Sequence, residues 1–215
     1  MEKLFFGDFN APVEFFYNPS SEVEPCIPSG CRIVRDSLNI SCILEVKYIT
    51  NYREASKEAY EKAKENRNRH LIDLPAKVLD SLPRDVFNRI WDYNSKQTVS
   101  MYYEKSIRFN VDIRSFPVSD QFAEKLYKKM VSFICNFKAK GVPPTILDGY
   151  LVTFRTVVED EVWSLNIHIP QGNALKMADL CREIITDAKA DKLNEQKYMT
   201  ILDTLDSYEG ISNKQ

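Results

Sequence analysis

Residues 149–169 read GYLVTFRTVVEDEVWSLNIHI, two runs rich in valine, threonine, isoleucine and aromatic residues on either side of an acidic turn. Runs of that composition joined by a two-residue turn form a β-hairpin. With the turn centred on Glu159 and Asp160, residues equidistant from it face each other, and the period of two sorts them onto two surfaces. Val152 falls beside Ile167, Phe154 beside Leu165 and Thr156 beside Trp163 on one surface. Thr153 beside Asn166, Arg155 beside Ser164 and Leu151 beside His168 make up the other, with Val157 and Val162 next to the turn. A slip of one residue would mix the two sets, so burial of the aromatic surface holds the register.

After the hairpin, Asn173 caps a helix running to about residue 189, with Met177, Leu180, Cys181, Ile184 and Ala188 on one face. Asn194 caps a last helix that carries Tyr198, Ile201, Leu202 and Leu205, and residues 210–215 fray. Before the hairpin, residues 120–140 give the clearest helix of the chain. Ser119 caps it, Gly141 stops it ahead of Pro143 and Pro144, and Phe122, Leu126, Met130, Phe133 and Phe137 recur at helical spacing with Ile134 widening the stripe. Such a stripe is the core face of a helix.

Nearer the N-terminus, residues 30–49 form a first hairpin around a turn at 36–39, which pairs Ile33 with Cys42 and Cys31 with Leu44. Val46 and Tyr48 continue that face, and Ser41, Glu45 and Lys47 line the reverse. Residues 13–17 add a strand that Pro12 and Pro19 restrict to an edge or end position. Residues 52–69 read as a helix with a thin stripe of Ala55, Ala59 and Ala63, capped by Thr50 or Asn51 with Glu54 at the capping-box position. Arg67, Asn68, Arg69 and His70 complement the dipole at its end. Pro75 and Pro83 open two short helices, 75–82 and 83–94, the second with Val86, Phe87, Ile90 and Trp91 as its apolar face. Residues 98–105 fit a helix or a strand. Residues 107–114 alternate, with Ile107, Phe109, Val111 and Ile113 on one side and Arg108, Asn110, Asp112 and Arg114 on the other.

Strands clustered as hairpins and separated by runs of helices give an α+β fold: a mainly antiparallel sheet of five or six strands, covered on one face by the long helices. No Gly/Ser-rich or proline-rich linker interrupts residues 1–215, so the reading is one α+β domain. The 44% hydrophobic, 12% aromatic and 28% charged residues describe a folded globular chain. With 29 Lys and Arg against 31 Asp and Glu there is no basic field for a polyanion, which argues against nucleic acid as a partner. No apolar run reaches the roughly 20 residues of a membrane span.

Five cysteines, an odd number, and the absence of a leader place the chain in the cytoplasm, or in an exported protein if a leader was removed upstream. Cys26 and Cys31 bracket Ile-Pro-Ser-Gly, which would close a small disulfide loop in an oxidising space. Cys42, Cys135 and Cys181 sit on apolar stripes and read as buried.

Six glycines, at 7, 30, 141, 149, 172 and 210, permit neither a P-loop nor a dinucleotide fingerprint. His70 and His168 lie far apart and no Cys-x-x-Cys occurs, so the sequence implies neither a metal site nor a cofactor. Glu159, Asp160 and Glu161 read as a solvated turn rather than a calcium loop.

The remaining chemistry is on the polar surface of the 149–169 hairpin, where Arg155, Ser164, Asn166 and His168 form the candidate binding set for a protein partner or a small anionic ligand. The segment Pro170-Gln171-Gly172-Asn173 would add helix amides to an anion pocket. The expectation is a non-enzymatic binding or interaction protein that presents this surface. Two alternatives stand beside it: an enzyme without a familiar motif, using His168 as general base and Arg155 as anion anchor, and a homo-oligomer joined through strand edges.

Overall fold

The computed structural model describes residues 2–7, 11–19, 27–36, 41–138 and 149–205. The chain divides into two compact units, Met1–Ile49 with Val111–Gln215, and Thr50–Asn110 inserted between them in sequence. No linker marks the insertion because none is needed. Ile49 ends one strand, Val111 opens the next, and the two are direct partners in the sheet, so the inserted chain leaves and returns at one place.

The first unit is an α+β fold around a six-stranded, wholly antiparallel sheet. In chain order its strands are β1 (Val13–Pro19), β2 (Ser29–Asp36), β3 (Ser41–Ile49), β4 (Val111–Val118), β5 (Tyr150–Val158) and β6 (Glu161–His168). Side by side they run β4-β3-β2-β1-β5-β6. The β5–β6 hairpin has the pairing that the sequence dictates, from Leu151 opposite His168 to Val157 opposite Val162. Its two-residue turn places Glu159 at φ 49° and Asp160 at φ 66°, the doubly left-handed turn whose twist matches the flanking strands.

Three strand expectations need correction. In the first hairpin Ile33 faces Leu44 and Cys31 faces Val46, while Cys42 meets Arg35. Strand β2 continues through Asp36 and so moves the connection along; the rest of the expected turn lies outside the described residues. A shift of two keeps every side chain on its face, so Cys31, Ile33, Cys42, Leu44 and Val46 still enter the core. Secondly, β1 is central rather than at the edge. Pro12 precedes the strand and Pro19 ends it, leaving the N–H groups between them available to both β2 and β5. Finally, β4 begins four residues later than the alternating run starts. Its register sets Phe116 against Leu44 and Val118 against Cys42, which turns Ile113 outward at 54% exposure.

Helices α6 (Asp120–Asn136), α7 (Gly172–Lys189) and α8 (Glu195–Thr204) supply the residues that cover one face of the sheet. Phe154, fully buried, packs at a tilt against Phe15 of β1 with ring centroids 5.3 Å apart and makes an edge contact with Phe133 of α6 at 5.0 Å. Ser119 caps α6 by accepting from the Phe122 N–H at 3.2 Å, and Asn194 caps α8 through the Lys197 N–H at 3.1 Å. The expected cap at Asn173 is displaced. The extended Gln171 supplies the carbonyl that receives the Ala174 and Leu175 amides, so Asn173 lies within the first turn of α7. Cys42 and Cys181 are buried as expected, but Cys135 is exposed. One residue past Ile134, it is turned about 100° away from the stripe. Cys31 is also a buried thiol, and Cys26 lies outside the described residues.

The opposite face receives a short helix that the sequence reading passed over, α1 (Glu2–Phe6). Its Phe5 and Phe6 close on Phe16 with ring centroids 4.6 and 6.2 Å apart. Gly30 permits this approach. A Cβ there would come within 2.8 Å of the Phe15 carbonyl oxygen and 3.2 Å of the Phe5 ring.

The inserted unit is helical: α2 (Tyr52–His70), α3 (Ala76–Leu79), α4 (Arg84–Lys96) and α5 (Val99–Ser106), so the run at 98–105 is helix from Val99 on, with Thr98 extended before it. Ala55, Ala59 and Ala63 are buried where α2 packs with α5, and the Tyr102 ring of α5 lies tilted against His70 with centroids 5.2 Å apart. The expected capping box is absent. Asn51 instead donates to the Arg108 carbonyl at 3.2 Å and accepts from the Asn110 N–H at 2.7 Å, tying the two ends of the insertion together. On α4 the expected apolar face is only half covered: Val86 and Ile90 are half-buried, whereas Phe87 and Trp91 are 39% and 69% exposed.

Candidate functional site

On the α1-covered face, cross-strand neighbours in β1, β2, β3 and β5 form a layer of charge. Glu14 pairs across the strands with Arg32 on one side and Arg155 on the other, and Arg32 pairs in turn with Glu45. The Arg155 Nε lies 3.1 Å from the Glu14 carboxylate, and its guanidinium sits over the Phe6 ring at 4.4 Å. Arg32 donates to Glu45 at 2.6 Å and to the Phe6 carbonyl at 2.7 Å, while the Ala11 N–H donates to Glu14 at 3.1 Å. Glu14 is wholly buried and Arg32 and Lys47 nearly so.

Burying ions costs free energy that only close pairing offsets, and the titration of the group shows the balance. Burial pushes the Glu14 carboxyl above its ordinary range, against the opposing pull of Arg155. Burial and the Arg32 charge push the Lys47 ammonium down, while Glu45 and Glu14 resist. Among Phe5, Phe6, Arg32, Glu45 and Lys47 there is no room for a water molecule. The layer is a packed seam beneath α1 rather than a cleft.

Beyond that seam the same face continues onto β6, where Ser164, Asn166 and His168 are exposed in a row with Val162 at 43%. Thr153 of β5 donates to the Asn166 carboxamide oxygen at 2.7 Å, which orients that side chain within the row. Four residues along a strand separate Ser164 from His168 by about 13 Å, and Ser164 and Asn166 stand about 7 Å apart.

The four expected site residues thus share a face but not an environment. Ser164, Asn166 and His168 belong to the open row. Arg155, its side chain 15% exposed, belongs to the seam and is engaged by Glu14. The sequence reading had placed Glu45 and Lys47 on the reverse face, yet it missed Glu14 and Arg32. Their signal was available in strand parity, since Glu14, Arg32, Glu45 and Arg155 all alternate with core residues. What concealed them was the tertiary pairing of β1 with β5, which brings together residues some 140 positions apart in the chain.

Among the described residues, no three of His, Cys, Asp and Glu come together as metal ligands. No helix among them is long and apolar enough to cross a membrane. No family model, curated protein or solved structure matches the chain.

Proposed function

We propose that this chain is a non-enzymatic interaction protein that meets a protein partner through the outer face and edge of the β5–β6 hairpin. One observation carries this reading: Ser164, Asn166 and His168 stand exposed in a regular row on the outermost strand of the sheet. A rigid scaffold that holds donors and acceptors in an open line suits a broad, shallow contact. The alternative of an enzyme built on His168 has less support. Its anion anchor, Arg155, is engaged by Glu14, and Ser164 is several times hydrogen-bond distance from the imidazole. For the same reason a protein surface fits the row better than a small anion.

Site-specific photo-crosslinking in the cells that make the protein tests the reading. A photoreactive residue at 164 or 168 is expected to yield discrete adducts that are absent when it replaces Lys62 on the exposed side of α2. Equal labelling at all three positions, or none at any, overturns the proposal.

A further inference from the structure

The two edges of the sheet differ in how they are guarded against pairing. Strand β4 carries Pro117, which has no N–H to donate, and the charged residues Asp112 and Arg114. Strand β6 has no proline, lysine or arginine, and its charged or titratable residues, Glu161 and His168, are confined to its two ends. Its pairing with β5 is unbroken from end to end. Such an edge is a template for another strand.

The hairpin fixes which backbone groups that edge offers. Ile169 donates its N–H to the Tyr150 carbonyl at 2.9 Å, so Ile169 and the odd-numbered residues of β6 bond inward to β5. Val162, Ser164, Asn166 and His168 therefore direct their N–H and C=O groups to the open side.

We infer that this edge takes β6 of a second copy, antiparallel, about a two-fold axis through Leu165. The inference rests on the proposed role of the hairpin as the contact element and names its partner. In this register Ser164 pairs with Asn166 of the second copy and Val162 with His168, which are the residues whose backbone groups are on offer. Leu165 meets its own counterpart at a non-hydrogen-bonded position, where side chains come closest. On the core side Trp163 is set against Ile167, so the half-buried row Trp163, Leu165, Ile167 becomes a continuous apolar seam.

Charge fits the same arrangement. The acidic tip Glu159-Asp160-Glu161 lies at one end of β6, and His168 with the N-terminus of α7, four residues on, lies at the other. Antiparallel pairing brings the tip of each copy toward the positive helix end of its mate.

Sedimentation of the full-length protein over a range of concentrations tests this. The wild type is expected to pass from one chain to two chains in mass as concentration rises. Ser164→Lys with Asn166→Lys sets lysines directly opposite lysines and is expected to hold the chain monomeric, as is the matching pair Ser164→Glu with Asn166→Glu. Mixing the two variants is expected to restore a dimer of one each, which also shows that both fold. Under oxidised glutathione, Leu165→Cys is expected to gain an intermolecular disulfide that Trp163→Cys does not. A wild type that is monomeric throughout, a dimer indifferent to the lysine pair, or a mixture that stays monomeric overturns the inference. The photo-adducts then separate the two readings: adducts to a different protein from a monomeric chain leave the contact role standing and remove only the second copy.

Discussion

Glu14 and Arg155 stand directly opposite each other in β1 and β5, their charged atoms 3.1 Å apart beneath the Phe6 ring. Removing one partner of such a pair leaves the other as an uncompensated ion, which costs more than the pair contributes. Arg155→Met is therefore expected to lower unfolding stability by about 3 kcal/mol. Glu14→Gln combined with Arg155→Met is expected to recover most of that, because no lone charge remains. Urea unfolding of the three proteins decides the matter; a double variant no better than the single one refutes the pairing.

The same carboxyl gives the protein a signature in pH. Glu14 holds its proton more tightly when folded than its ordinary value of 4.5 implies, chiefly because it is buried. A group with a raised folded pKa contributes stability that is fully present below 4.5 and is lost as pH climbs through the folded value. The stability of the wild type relative to Glu14→Gln is therefore expected to decline from pH 4.5 upward and then level off. Lys47 works in a different window, because its pKa is lowered from 10.5: its contribution is present above that value and is lost as pH falls through the folded one. Chemical unfolding of wild type and variant at matched pH separates these limbs, and a relative stability that rises over the acid range would contradict the raised carboxyl.

Where the sequence was readable, the reason was local. The β5–β6 register follows from a two-residue turn and a period of two, and the faces of α6, α7 and α8 follow from a period near 3.6; none of these needs knowledge of a distant residue. Strand β1 was misplaced because proline counts against a central strand only where its missing N–H falls inside the ladder, and Pro12 and Pro19 both fall at its limits. The run at 107–114 misled because its apolar half is divided between two units: Phe109 stacks on Tyr52 at 5.5 Å in the insertion, while Val111 opens β4. The candidate site was half legible for the same reason. Side-chain parity placed Arg155 and His168 on one face, but only the fold shows α1 lying over the first.

That difference predicts a contrast on one surface. His168→Ala and Ser164→Ala alter exposed side chains away from the seam, and each is expected to change stability by no more than about 0.5 kcal/mol. Thermal unfolding of these variants beside Arg155→Met checks it. A large loss at His168 would place the imidazole in a structural role and remove it from the contact row.

The insertion supplies a last test, at its point of closure. Asn51 bridges the Arg108 carbonyl and the Asn110 amide, and Thr50 donates both its N–H, at 2.9 Å, and its hydroxyl, at 3.3 Å, to the Asn110 carbonyl, so four hydrogen bonds tie the two ends of residues 50–110 at their base. Two of the four depend on the Asn51 carboxamide. Asn51→Ala removes two solvent-exposed hydrogen bonds, whose place water takes, and is expected to cost about 1 kcal/mol, felt first at the ends of the insertion. Amide exchange should quicken at the start of α2 and at 107–110 while the amides of β5 and α7 keep their protection. If exchange quickened uniformly across both units instead, the bridge would be a support of the whole fold rather than the clasp of the insertion.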